Sequence, residues 1–196
     1  MKNNNIPPMP SALFCMQCGH KVSHKVPAGD HHVRAVCPQC ATIHYDNPKC
    51  VVGTITQFEG KILLCRRDIE PARGLWTLPA GFLECNETLA QGAWRETFEE
   101  ACAQTDLIEP VYALIDIPHI SQIHVFFRAT LKENPHGAMF AAGEETQEAR
   151  LFAIKDIPWD EVAFRSVRWA LEAFIQDSAH GVFATRHHIL AATQTI

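Results

Sequence analysis

Glu96, Glu99 and Glu100 stand at i, i+3 and i+4 in the stretch GFLECNETLAQGAWRETFEEACA, residues 81–103. On a helix that spacing puts three carboxylates on one face. Ala90, Ala93, Trp94, Thr97, Phe98 and Ala101 fall mainly on the opposite arc, and Arg95 borders the acidic face. Like charges at i and i+4 destabilise a helix by a few tenths of a kcal/mol, and the helix dipole disfavours them toward the C-terminal half. A solvated acidic stripe would carry both penalties. A divalent cation would reverse both, and Mg²⁺ takes hard oxygen ligands of this kind. Asn86 is the expected N-cap, with the helix running from Glu87 to about Ala101.

Four cysteines carry a second chemistry. Cys15-Met-Gln-Cys18 and Cys37-Pro-Gln-Cys40 are two Cys-x-x-Cys pairs, each able to present two sulfurs from one tight turn. Their doubling reads as a structural zinc site, not a redox pair. With four thiolates available, His20, His24, His31, His32 and His44 are expected outside the ligand set. The segment from Phe14 to about Tyr45 has few large apolar residues, so the metal is expected to hold it folded.

The remaining chain must position these groups. It has 196 residues, 47% hydrophobic and 20% charged, enough for one medium domain with a small appendage. A net charge of −5 argues against a general nucleic-acid binder. There is no membrane-length apolar run, and MKNNNIPPMPSALF lacks the apolar core and cleavage site of a secretory signal, so a cytoplasmic location is the expectation. CVVGTITQF and KILLCR read as strands separated by a hairpin break at Glu59-Gly60. LWTLP, VYALIDI, IHVFFRATL and ARLFAI are further strands, and KENPHGAMFAAGEETQE is loop-like. Residues 166–176 have helical spacing, with Ser166 as the expected N-cap. ATRHHILAATQTI has no clear period and reads as a tail. Strands alternating with two helices indicate an α/β or α+β domain with a mixed sheet.

From Gly81 the stretch resembles the box of the Nudix hydrolases: glycine, five residues, Glu87, seven residues, then Arg95-Glu96-Thr97-Phe98-Glu99-Glu100. GLWTLPAGF, residues 74–82, resembles the family's approach to that box. Cys102 stands where the family has glycine, and Thr97 where it usually has a large aliphatic residue. A four-cysteine ribbon followed by HYDNPKCVVG resembles a zinc-ribbon branch of the family. The Ser-Gln-Pro-Trp-Pro-Phe-Pro signature of its NADH pyrophosphatases is missing, because Ser121-Gln122 continues as Ile-His-Val-Phe-Phe. RRDIEPARGLWTLPAGFLE is closer to the ADP-ribose/FAD pyrophosphatases.

The resemblance implies an α+β fold, a Nudix α/β/α sandwich with a mixed sheet, preceded by a small zinc-ribbon domain. Its expected limits are 1–45 for the ribbon with a flexible N-terminus, 46–182 for the Nudix domain and 183–196 for a C-terminal tail. It implies Mg²⁺ or Mn²⁺ on Glu96, Glu99, Glu100 and the Ala80 carbonyl, with Arg95 orienting the carboxylates, and Zn²⁺ on Cys15, Cys18, Cys37 and Cys40. Glu87 is left open between ion-pair partner and ligand. The general base is left open between one of the box glutamates, whose basicity a bound metal would reduce, and Glu144, Glu145 or Glu148. Arg66, Arg67 and Glu148 are substrate-binding candidates, although strand-end arginines also serve as surface residues. Trp76, Phe126 and Phe127 either stack on a flavin or adenine or fill the core. The implied partner is a small nucleotide, ADP-ribose or FAD first, with NADH and coenzyme A behind, and the implied assembly is a homodimer. The rival is a non-catalytic nucleotide sensor or nucleic-acid-binding module, against which the intact Arg-Glu-x-x-Glu-Glu core speaks.

Overall fold

The structure is a computed structural model that describes residues 12–133 and 139–192. The chain forms two compact units, divided between Asn47 and Pro48.

The first unit is an antiparallel meander of three short strands, β1 (Ser23–Lys25), β2 (Arg34–Val36) and β3 (Ile43–His44). One tight turn precedes β1 and another joins β2 to β3. The Gly19 amide donates to the Cys15 carbonyl at 2.8 Å, and the Ala41 amide to the Cys37 carbonyl at 3.0 Å. Its apolar cluster consists of Cys15, Val22, Ala35 and Cys37, with Ala12 packed against it. Two of those four are the thiols themselves, so apolar burial alone cannot hold this unit.

The second unit is built on a mixed sheet. Its strands are β4 (Lys49–Phe58), β5 (Lys61–Arg67), β6 (Trp76–Thr77), β7 (Ala80–Phe82), β8 (Thr105–Ile117), β9 (Gln122–Leu131), β10 (Thr146–Ala153) and β11 (Arg186–Ile189). Among the described residues the order is β10-β5-β4-β9-β8-β11, with β6 paired to β5 and β7 to β4. The β4–β9 and β8–β11 pairs are parallel and the others antiparallel. The β4–β5 hairpin turns at Glu59 and Gly60, both at positive φ, as a two-residue turn between twisted strands requires.

Strand alternation divides the sheet's two faces. Ile62 and Leu64 of β5 join Ile55, Tyr112, Ile115 and Phe126 in a core covered by α2 (Arg165–His180) through Val167, Ala170, Leu171 and Phe174. Leu63 and Cys65 face the other way, toward Ala101 of α1 (Leu89–Ala101). On that side Val52, Val125 and Phe127 pack with Ala93. One helix lies on each face, the expected sandwich.

Three expectations change. Ser166 is not the N-cap of α2: the helix starts at Arg165 behind Phe164, which caps with no side-chain hydrogen bond. Residues 183–196, expected as a tail, contain β11, parallel to β8. Tertiary contacts hold that strand. Arg186 pairs with buried Asp177 of α2, Thr185 donates to the Val111 carbonyl at 2.7 Å, and the His188 ring stacks on Trp169 with centroids 4.6 Å apart. The loop-like stretch that starts at Lys132 becomes a strand at Thr146, and residues 134–138 within it lie outside the described residues. No helix among the described residues is long and apolar enough to cross a membrane.

Candidate active site

α1 begins two residues later than its sequence suggests. Thr88 is the N-cap: its hydroxyl accepts from the Gln91 amide at 3.2 Å, while the Gln91 side chain accepts from the Thr88 amide at 2.8 Å. Threonine followed by glutamine three residues on is a capping box, a signal present in the sequence. Asn86 instead adopts a left-handed φ of 67°.

That shift places Glu87 before the helix. Its carboxylate accepts from the Glu84 amide at 2.7 Å and takes two bonds from Arg95, Nε to Oε2 at 3.0 Å and Nη2 to Oε1 at 2.7 Å. The Arg95 pairing, with the Glu84 amide, holds Glu87 down at about 2. Here Glu87 is an ion-pair partner. Arg95 also donates from Nη1 to Glu96 at 2.7 Å and to Glu99 at 2.9 Å, and from Nη2 to the Phe82 carbonyl at 3.0 Å. One guanidinium thus ties the segment before the helix to two of the three acidic residues.

Glu96 and Glu100 are withdrawn from water, whereas Glu99 is exposed. Burial raises the Glu96 carboxyl, with Arg95 opposing it. A Cβ on Gly81 would fall on the Glu96 carboxylate, so any larger residue there would displace that carboxylate from its place beside Arg95. Burial also pushes Glu100 up to about 8; the Ala80 amide, donating to it at 3.1 Å, and the charge of Arg67 oppose this, while Glu96 and Glu145 add to it. A buried carboxylate with one neutral donor and other carboxylates nearby is costly unless a cation joins it. The donor set is all oxygen, which fits a hard divalent ion.

Thr97, the departure from the family's aliphatic residue, has a specific partner. Its hydroxyl donates to the Ala93 carbonyl at 2.7 Å and is hydrogen-bonded at 2.7 Å to Thr54, which also meets Thr56 at 2.8 Å. All three are fully buried. This chain of hydroxyls pins the acidic helix to β4 where a larger apolar side chain would otherwise pack.

The carboxylates open into a cavity of about 1100 Å³. Glu96, Glu99, Glu100, Arg95 and Ala80 line it, as do Arg67, Glu144 and Glu145. The last two arrive on a loop fastened to the end of α1, with the Ala141 amide on the Ala101 carbonyl at 2.8 Å and the Gly143 amide on the Glu100 carbonyl at 3.0 Å. Arg66 and Glu148 do not line it. The Arg66 Nε donates to the Gly74 carbonyl at 2.8 Å, and Glu148 pairs with Arg150 on β10. Trp76 and Phe127 are buried in the two cores; Phe126 is buried and borders the cavity.

The cavity's far wall was not read from the sequence. Ile117, His119, Gln122, His124, Leu190 and the first turn of α2 converge there. His124 Nε2 lies 3.0 Å from Gln122 Oε1, its Nδ1 is buried with no partner among the described residues, and burial lowers the ring to about 4, so it is neutral at pH 7.

In the first unit the four Sγ atoms of Cys15, Cys18, Cys37 and Cys40 lie within 4.8 Å of one another. The Cys15–Cys40 and Cys18–Cys37 separations are 3.6 and 3.5 Å. A Zn–S tetrahedron has sulfur–sulfur edges of about 3.8 Å, so the donor set fits zinc.

Comparison with known proteins agrees with this geometry. A family model described as the NUDIX domain matches residues 46–170, and the Nudix zinc-ribbon model, described as Nudix N-terminal, matches residues 13–46. A crystal structure of a NUDIX hydrolase from Nitrosomonas europaea is 47% identical with a TM-score of 0.85, covering 91% of this chain and 99% of that one. An ADP-ribose pyrophosphatase of Methanocaldococcus jannaschii is 31% identical over 121 residues, 58% of this chain and 67% of that protein. A NAD-capped RNA hydrolase, NudC, of Edwardsiella ictaluri is 36% identical over 95 residues, 48% of this chain and only 35% of that protein.

Proposed function

The chain belongs to the Nudix hydrolase family, and from that premise we propose that it hydrolyses the diphosphate bond of ADP-ribose or FAD, yielding AMP with ribose 5-phosphate or FMN. The observation that carries this reading is Glu100, a buried carboxylate beside Glu96 at the wall of a nucleotide-sized cavity.

Mg²⁺ or Mn²⁺ held by Glu96, Glu99, Glu100 and the Ala80 carbonyl would supply charge neutralisation of the diphosphate and an activated water. The chain's own groups do the rest. Arg95 holds Glu96 and Glu99 in place while Glu87 anchors Arg95 from behind. The Ala80 amide fixes one oxygen of Glu100. Glu144 and Glu145 border the cavity without being assigned to the cation, and one of them serves as the base that takes the proton of the attacking water. Zinc on the four cysteines folds the ribbon. The resemblance also supports a homodimer.

A panel of ADP-ribose, FAD, NADH and coenzyme A, assayed with Mg²⁺ and with Mn²⁺ for release of the nucleotide monophosphate, tests the substrate. ADP-ribose or FAD should lead. A clear preference for NADH would overturn the reading and give the missing Pro-Trp-Pro-Phe-Pro signature no weight.

A further inference from the structure

The acidic helix supplies one wall of the cavity; the first turn of α2 supplies another, and it carries the opposite sign. α2 has 16 residues, and its N-cap Phe164 offers no side chain to the helix. The first helical amide bond runs from Arg168 to the Phe164 carbonyl at 3.0 Å. The amides of Ser166 and Val167 precede it and make no hydrogen bond among the described residues. Such amides, with the helix dipole behind them, are donors for an anion.

A second observation is independent of the helix. Ser166 is 2% exposed, lines the cavity and has no hydrogen-bond partner among the described residues. Its hydroxyl is not among the side-chain atoms sealed from solvent, so it reaches the cavity free to donate to a ligand. As a residue it is not needed to cap α2, since it lies inside the first turn. Arg67 completes the setting. Its guanidinium stands 5.1 Å from the centre of the Phe164 ring, and it uses Nε on the Pro71 carbonyl at 2.8 Å. It lines the cavity, and its charge is felt by Glu100. Arg67 therefore lies between the carboxylates and the start of α2.

We propose that the Ser166 and Val167 amides, the Ser166 hydroxyl and the Arg67 guanidinium form an anion subsite that receives a phosphoryl group of the substrate. The proposal rests on the diphosphate-hydrolase reading and deepens it. A diphosphate held only by cations on the acidic wall can swing about that anchor. A second, fixed set of donors for the other phosphoryl group sets which phosphorus faces the attacking water. Two amides, a hydroxyl and a guanidinium match the acceptor oxygens of a phosphate and need no divalent ion of their own.

The test follows from that last property. Full-length protein in buffer free of Mg²⁺ and Mn²⁺ is titrated with inorganic phosphate, and separately with AMP, while amide chemical shifts are followed. The Ser166 and Val167 amides should shift saturably with both. Ser166→Asp adds a negative charge that suits a helix start, so α2 should persist by circular dichroism while the phosphate-induced shifts vanish. In kinetics with Mg²⁺ and the preferred substrate of the panel, Ser166→Ala should raise KM about tenfold, the equivalent of one charge-assisted hydrogen bond, with kcat little changed. Amides that do not respond in the wild type, or a folded Ser166→Asp that binds phosphate as the wild type does, would overturn the subsite. Responding amides in a protein that hydrolyses no member of the panel would sink the proposed activity and leave the subsite standing. Hydrolysis without an amide response would do the reverse.

Discussion

The ribbon and the acidic helix both gather like-charged ligands, and they differ in what holds the ligands together. In the ribbon, four sulfurs converge through two short turns and a cluster in which Cys15 and Cys37 are themselves half the buried residues. Remove the metal and little is left to keep the turns facing each other. In the second unit the helix is already fixed by a capping box, a threonine chain to β4 and packing of Ala93 and Ala101 on its own face of the sheet. There the fold holds carboxylates in place, and a cation would answer their repulsion. On the proposed reading one metal would make structure and the other would use it.

Four experiments press on that contrast. The largest effect should be on the ribbon. Purified protein should hold about one zinc per chain, and strong chelation or Cys37→Ser should unfold residues 13–46 while the second unit still melts cooperatively, because zinc binding supplies on the order of 10 kcal/mol to such modules. Metal analysis and amide shifts read both parts; a folded, zinc-free ribbon would erase the contrast. Next comes Glu100→Gln. It keeps the shape and removes a buried carboxyl able to ionise onto a cation, so turnover should fall by roughly two orders of magnitude or more, in line with metal-assisted charge stabilisation. Its melting temperature should not fall. A fully active variant would remove the metal assignment.

Asp177→Asn tests whether an ion pair in the second unit supports the fold rather than a ligand. Arg186, with the Tyr112 hydroxyl donating at 2.8 Å, holds the Asp177 carboxyl below its ordinary value. A depressed carboxyl stabilises the fold above its unfolded-state value, near 4, and that stabilisation is lost as pH falls through the lower folded-state value. The variant should therefore melt below the wild type at pH 7, and the gap should close in acid. A gap independent of pH would mean that shape, not charge, matters at β11. The smallest effect is Thr97→Val, which removes a hydroxyl from the chain to Thr54 and Ala93. Denaturant titration should show a loss of about 1 kcal/mol, with activity near wild type.

The acidic helix was legible because its information is local. Glu96, Glu99 and Glu100 share a face by helical periodicity alone, and Cys-x-x-Cys pairs declare their geometry within one turn. Even the missed start at Thr88 was written locally, in Thr88 and Gln91. Arg66 and Arg67 show the limit. They are neighbours at one strand end, yet only Arg67 borders the cavity, while Arg66 holds the Gly74 carbonyl. Glu144, Glu145 and Glu148 divide the same way. The loop fastened to the end of α1 carries the first two to the cavity, and β10 carries Glu148 to Arg150.

By itself, then, the sequence determined the candidate ligand sets, the two-unit division of chemistry and the family, since each depends on spacings shorter than a few helical turns. Tertiary structure alone decided the far wall of the cavity. Ser166, His124 and Leu190 come from α2, β9 and the chain after β11, and no short-range period links them. Their meeting depends on how the sheet's order, β10-β5-β4-β9-β8-β11, sets distant strand ends beside one helix N-terminus. Glu87 shows both sources at once: its charge and position were plain, but only the left-handed bend at Asn86 turned it toward Arg95.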